Sequence, residues 1–367
     1  MASTQPQREE VRLPEIVGPE KADWEMLNNL SAGLARSTTS ESLQPVFNKV
    51  PKKPDSGLPV IARVLRSGFV QKLLYPLEKT TRDTPFLADG TKVAVARSLT
   101  QPLLDALFSN EILGIHIPGW YDSALCERVA RNVSQLTTQN WNVYDVKEGY
   151  KKSDVDVVGH PFNMAVLNDE RWNAYFSGMR ETTLRIRSVS GEASGPLDRF
   201  RLEMDEIWPA GLAIRTFRGA KMIPGLIRVM RDDAGPRTDI PVNCHVDDSP
   251  LLSARHGRYS VNVYLKPPTE GGELYLWNTR MEGLGSVFKY WYLNKNFFLS
   301  SSYANEDLQR QFQRCLPPPV RLKVRQGDLV ILNTGRPHAI APFSGGPRIS
   351  MQAFLTYRKN KPIAIWA

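Results

Sequence analysis

The chain has 367 residues, a formal net charge of +9, 41% hydrophobic and 23% charged residues, which fits one large soluble domain, or one domain with an extension, and excludes a disordered or low-complexity chain. No run of about 18 apolar residues occurs, which excludes a helical membrane span. The three cysteines, Cys126, Cys244 and Cys315, stand at unrelated positions and form neither a disulfide framework nor a zinc pattern.

Taken in order, residues 1–58 are polar, hydroxyl-rich (Ser31, Ser37, Thr38, Thr39, Ser40) and broken by Pro45, Pro51 and Pro54. They read as a partly disordered extension with one helix-capable piece near 19–30. Residues 1–10 lack an apolar signal region, so the expected location is the cytoplasm. Residues 59–110 read as a helical segment packing on the core: Ile61, Val64, Leu65, Phe69, Val70, Leu73 and Leu74 share helical spacing, and so do Leu103, Leu104, Leu107 and Phe108.

From 111 to 367 strands dominate. Residues 112–120 read as a strand and 122–130 as a helix capped by Asp122 or Ser123. Helices follow at 172–176 and 197–207, then strands at 213–217 and 226–230. Residues 259–265 alternate Tyr259, Val261, Val263 and Leu265 with Ser260, Asn262 and Tyr264, an apolar face against a polar one. After a turn at 267–272 and a strand at 273–277, residues 281–316 form an aromatic-rich insertion, in position for a lid. A strand at 320–324, then a turn and a buried strand over 327–332, precede the stretch carrying His338, and a turn at 343–347 leads into a strand at 348–357. The densest basic groups, 49–53 and 358–361, read as solvated tails, and the spread of the remainder argues against a nucleic-acid groove.

The chemistry gathers around His245 and Asp247. Two residues apart in a strand-like run, they point to one face. Of the other histidines, His116, His160, His256 and His338, only His338 lies downstream in a strand-like run followed by a turn and a second strand. His116, flanked by apolar strand residues, reads as a core or edge histidine. Two histidines and one carboxylate with open positions form the facial triad of non-haem Fe(II) oxygenases. Ten residues on, Arg348 opens a strand with Ser350 and Gln352 on its face. A guanidinium buried there needs an anion, and a dicarboxylate would meet it at two points.

On these residues, and on Gly271-Gly272-Glu273-Leu274 after the 259–265 strand, the chain resembles the Fe(II)/2-oxoglutarate-dependent dioxygenases, most closely their prolyl-4-hydroxylase-like branch. The resemblance covers roughly the C-terminal two thirds. It implies a mainly β fold with flanking helices (α+β), its core a double-stranded β-helix, a cupin-like jelly roll. It also implies Fe(II) on His245, Asp247 and His338, with 2-oxoglutarate and O2 as co-substrates. The 2-oxoglutarate would pair with Arg348 and Tyr264, beside Asn262 and Ser350. Met230 or Val229 occupies the place where the branch often has a tyrosine.

The implied reaction is oxidation of an unactivated C–H with release of succinate and CO2. The retained Asp247 points to hydroxylation, desaturation or oxidative cyclisation, because halogenating relatives lose that carboxylate. The expected substrate is a small metabolite, such as an amino acid or a derivative, met by Arg228, Met230, His160 and Gln352. Two alternatives stand beside this reading: an oxygenase of a protein prolyl residue or an alkylated nucleic-acid base, and a jelly-roll binding protein without turnover.

Overall fold

The computed structural model describes residues 50–53, 85–141, 155–166, 168–191, 193–231, 244–247, 258–280 and 306–367. The helical readings at 19–30 and 61–74, the loop residues Arg255 and His256, and the aromatics of 281–305 lie outside the described residues. In chain order the first elements are β1 (Val93–Val95), α1 (Gln101–Phe108), β2 (Gly114–Ile117), α2 (Ser123–Ser134), β3 (Gln139–Asn140) and β4 (Val155–Val158). Next come α3 (Phe162–Ala165), α4 (Asp169–Ser177), α5 (Met179–Ser188), α6 (Pro196–Ile207), β5 (Leu212–Ile214), β6 (Thr216–Phe217), β7 (Ala220–Lys221), β8 (Leu226–Met230) and β9 (Arg258–Lys266). The remainder are β10 (Glu270–Gly271), β11 (Leu274–Leu276), α7 (Glu306–Arg314), β12 (Val320–Leu322), β13 (Leu329–Asn333), β14 (His338–Ile340), β15 (Phe343–Ser344), β16 (Arg348–Thr356) and β17 (Ile363–Trp366).

The alternation in β9 becomes two environments. Tyr259, Val261, Val263 and Leu265 pack in one buried cluster with Ile349, Met351, Ala353 and Leu355 of β16 and with Ile115, Ile117, Leu329 and Ile331. Helices α1, α2 and α6 close over that face through Leu104, Leu107, Val129, Val133, Phe200 and Met204. Each such side chain removed from water stabilises the fold by roughly 1.5–3 kcal/mol. The opposite face keeps the polar set, with Asn262, Tyr264, Arg348, Ser350 and Gln352 all buried.

The large sheet runs β1-β2-β13-β9-β16-β8-β4-β3, and β17 joins β16 to β5. The small sheet runs β12-β11-β14 and is extended by an antiparallel bridge between His338 and His245. The two sheets meet where Tyr264, Val330 and Leu332 pack with Leu274, Leu276 and Val324, and again where Leu226 and Met230 pack with Ile340 and Phe343. Where β10 ends, Gly271 and Gly272 have φ of 72° and 74°. A Cβ on Gly271 would collide with the Pro342 carbonyl, so the turn admits only glycine there.

The cap on α2 is as expected: Asp122 Oδ1 accepts from the Leu125 backbone N at 3.0 Å. Three expectations change. The 358–361 stretch is an exposed turn rather than a tail, since β17 follows it and buries Ile363, Ile365 and Trp366. Residues 50–53 are held against α4, where Trp172 Nε1 donates to Pro51 O at 2.6 Å and Lys53 pairs with Asp169 at 3.0 Å. The described end of the insertion, α7 to Leu316, buttresses the outer face of the small sheet. Phe312 and Leu316 pack there on Cys244, Val246, Trp277 and Ala339, and the Gln309 amide bonds Cys244 N and O at 3.0 and 3.3 Å. Among the described residues no helix is long and apolar enough to cross a membrane.

Candidate metal centre

His245 and His338 are joined through their backbones: His245 N donates to His338 O at 3.0 Å, and His338 N to His245 O at 2.9 Å. An antiparallel pair that exchanges both bonds sets its side chains directly opposite on one face. Asp247 N donates to Thr334 O at 3.0 Å, and its side chain returns to that face two residues after His245. The carboxylate then stands between the imidazoles, with Oδ1 3.2 Å from His245 Nε2 and Oδ2 3.6 Å from His338 Nε2. All three ligand atoms lie within 4.8 Å of one another.

His338 Nδ1 donates to Arg336 O at 3.0 Å, which assigns the proton to Nδ1 and the lone pair to Nε2, facing Asp247. Burial, with His245 close by, pulls the His338 pKa down to about 4 despite the opposing effect of Asp247. The ring is therefore neutral at neutral pH, as a metal ligand must be. Two imidazole nitrogens and one carboxylate converging from one side suit a divalent first-row metal such as Fe(II).

Arg348 is 3% exposed. Its Cζ stands 4.8 Å over the Tyr264 ring and Nη1 lies 3.6 Å from Met230 Sδ, yet Nε and Nη2 have no hydrogen-bond partner. Among the described residues no carboxylate pairs with it. Burial lowers its pKa, but a guanidinium stays charged, and a buried unpaired charge is destabilising by several kcal/mol. An anion with two oxygens would remove that penalty. Burial also raises the Tyr264 phenol, against the pull of Arg348 and Arg228.

The other candidate residues form a grid on the same sheet face. Ser350 lies between Arg228 and Tyr264, Gln352 between Leu226 and Asn262, and Met230 faces Arg348. Arg228 is half-buried, donates from Nη1 to Gln352 Oε1 at 3.1 Å, and stacks 5.0 Å over Trp141. It sits across Ser350 from Tyr264, and its charge acts to lower the pKa of both His338 and Tyr264. Asn262 Nδ2 donates to Ser260 Oγ at 3.2 Å. His160 stands apart from this grid: its Nδ1 accepts from Gln139 Nε2 at 3.0 Å, and burial and Arg185 of α5 lower its pKa. It belongs to the border with the helix layer. His116 is the core histidine expected, its Nε2 2.7 Å from Asp328 Oδ2.

Sequence reasoning missed Trp141, Thr334 and Arg336. Thr334 and Arg336 lie in the turn just before His338 and could have been weighed for that reason.

No family model and no curated protein matches the chain. Among solved structures it is similar to an N-substituted L-amino acid dioxygenase from Burkholderia ambifaria AMMD, with 12% identity, 73% of this chain and 92% of that one covered, and a TM-score of 0.44. It is also similar to HygX from Streptomyces hygroscopicus with nickel and 2-oxoglutarate bound, at 14% identity, 72% and 89% coverage and a TM-score of 0.36. A prolyl-4-hydroxylase from Pseudomonas putida aligns at 14% identity, 70% and 98% coverage and a TM-score of 0.30. All three scores are below 0.5, and the roles given to residues rest on the contacts described above.

Proposed function

We propose that this chain is a non-haem Fe(II)- and 2-oxoglutarate-dependent oxygenase on a double-stranded β-helix. The strand order supports the fold. Along the chain, β8, 244–247, β9, β11, β12, β13, β14 and β16 lie in the large, small, large, small, small, large, small and large sheets, the alternation of a jelly roll. One observation carries the function: Arg348, with two unpartnered donors, is buried on the face opposite the small sheet that holds His245, Asp247 and His338.

When bound, Fe(II) supplies O2 activation coupled to decarboxylation of 2-oxoglutarate to succinate and CO2. The protein's residues do the rest. Arg348 grips the far carboxylate of the co-substrate, and the Tyr264 hydroxyl adds a hydrogen bond to it. Asn262 and Ser350 line the same slot. Met230 supplies an apolar, polarizable wall beside Arg348. Leu226, Met230, Ile340 and Phe343 close one side to water.

The substrate is a small metabolite bearing a carboxylate, an amino acid or derivative, oriented by Arg228 with Gln352 and Trp141. His160 stands further out, at the rim. Residues 111–367 are the oxygenase domain of a cytoplasmic enzyme, and ahead of them β1 and α1 join its large sheet and helix layer.

Titrating 2-oxoglutarate into the anaerobic Fe(II)-loaded protein tests this directly. A metal-to-ligand charge-transfer band is expected to grow in and saturate at one equivalent. Incubation in air with a panel of amino acids is expected to yield succinate matched to loss of one substrate by mass spectrometry. A protein that binds Fe(II) and shows no such band would remove the co-substrate from the reading.

A further inference from the structure

The turn before His338 carries two backbone carbonyls that position ligands. Thr334 O accepts from Asp247 N at 3.0 Å, and Arg336 O accepts from His338 Nδ1 at 3.0 Å. Whatever holds this turn therefore sets both the tautomer of His338 and the height of Asp247. The side chain of Arg336 is 3% exposed, and its Nη1 lies 2.6 Å from Asp89 Oδ2. Asp89 stands 247 residues away, on the segment ahead of β1.

That segment is tied to the small sheet. Phe86 N donates to Cys315 O at 2.7 Å and Asp89 N to Asn278 O at 2.8 Å, while Phe86 packs with Cys244, Val246 and Ala339 behind the ligand strands. Asp89 is itself held: Thr91 donates to Oδ1 from Oγ1 at 2.6 Å and from N at 3.1 Å, and Arg280 Nε donates to Oδ2 at 3.2 Å. Although burial raises its pKa, the bonds from Thr91 and the Arg336 charge outweigh burial and keep the carboxyl below its ordinary range. A second tie reaches the same turn. Arg280 Nη2 donates to Asn110 O at 3.1 Å, Asn110 Oδ1 accepts from Asn333 Nδ2 at 2.6 Å, and Asn333 Oδ1 accepts from Gly335 N at 2.9 Å.

We propose that Asp89 is a positioning residue for the metal centre, acting through Arg336 to hold the 333–337 turn whose carbonyls orient His338 and Asp247. Asp89 touches neither metal nor substrate. Its effect is on how well the three ligand atoms are pre-placed, the role that groups behind a metal's ligands play elsewhere at about 10- to 100-fold in affinity. The inference rests on the metal reading of the triad, and its test separates the two.

Co(II) titrated anaerobically into the purified full chain reads ligand placement through both affinity and the visible ligand-field band. Asp89→Asn keeps the shape and removes the charge; it is expected to weaken Co(II) binding about 10-fold and to shift the band. Asp89→Glu should restore part of the affinity. If Asp89 acts through Arg336, Asp89→Asn combined with Arg336→Gln should weaken binding no more than Arg336→Gln alone.

Asp205, whose Oδ1 accepts from Leu212 N at 2.7 Å between α6 and β5, is the control. Asp205→Asn should lose thermal stability and keep wild-type Co(II) affinity. Should the Asp89 and Arg336 variants fail to fold, Thr91→Val removes the hydroxyl that holds Asp89 Oδ1 at 2.6 Å, with several-fold weaker Co(II) binding expected. Wild-type affinity and spectrum in folded Asp89→Asn, or in Thr91→Val where that variant is the one that folds, overturn the proposal alone. A wild-type chain that binds no Co(II) overturns the metal centre itself.

Discussion

Two histidine–aspartate groups on opposite sheets share the same chemistry and differ in what surrounds them. His116 and Asp328 meet at 2.7 Å in the large sheet, and Asp328 also accepts from Gly119 N at 2.9 Å and Arg325 N at 2.8 Å. Burial raises the Asp328 pKa, but the bonds from His116, Arg325 and Gly119 outweigh it and hold the carboxyl below its ordinary value. This pair closes on itself and staples β2 to the turn before β13. In the small sheet, Asp247 stands between two Nε2 atoms, and His338 directs its one N–H away to a backbone carbonyl. Three lone-pair-bearing atoms turned to a common point make a place for a cation. Having both residue types close together does not make a site; the direction of their donors and acceptors does.

Replacing residues of each group sharpens that contrast. Ala at His245, Asp247 or His338 should each abolish Fe(II)-dependent turnover and reduce bound iron, read by metal analysis, with the fold retained by circular dichroism. His116→Ala should do the reverse. It leaves Asp328 buried and short of a donor, lowering stability by about 1–3 kcal/mol in denaturant unfolding, while the iron content of folded protein stays at wild type.

Next in size is the co-substrate end. Arg348→Met should abolish 2-oxoglutarate binding in the anaerobic charge-transfer titration, whereas Arg348→Lys keeps the charge, loses the planar fork, and should raise KM for 2-oxoglutarate more than it lowers kcat. Tyr264→Phe should weaken 2-oxoglutarate by about one to two decades, since a hydrogen bond to a charged group contributes roughly 1.5–3 kcal/mol. Unchanged affinity in Arg348→Met would contradict the anion assignment.

A separate effect, spread over about two and a half pH units, is on pH dependence. His338 titrates at about 4 in the folded chain against an ordinary 6.5, so between those values the unfolded chain holds a proton that the folded chain does not. Metal-free protein should therefore lose stability as pH falls from 6.5 toward 4, by about 3 kcal/mol in total. His338→Gln should flatten the slope in urea melts over that range. Asp328 contributes only at lower pH, as its carboxyl protonates below the ordinary range, so the two groups separate on the pH axis.

Local spacing made much of this legible. The i, i+2 rule put His245 and Asp247 on one face, the alternation in β9 separated Tyr264 and Asn262 from the helix-packed side, and Arg348, Ser350 and Gln352 proved to share the buried polar face as their spacing required. The Asp122 cap and the bounds of β8 followed from the same short-range signals. Periodicity carries such information because it depends only on the residue's own strand or helix. What it does not carry is which strands pair and where a backbone carbonyl points.

The bridge that sets His245 against His338, the Arg228–Gln352 contact and the Asp89 clamp all join residues far apart in the chain. The 358–361 turn misled for the same reason: four polar residues look like an end until β17 finds its place beside β16. Thus residue types and periods alone determined which side chains share a face, and the kind of ligand they suit. The tertiary structure decided which lone pairs converge and which charges stay unpaired, because both depend on hydrogen bonds that close only when the two sheets and the segment before β1 are assembled.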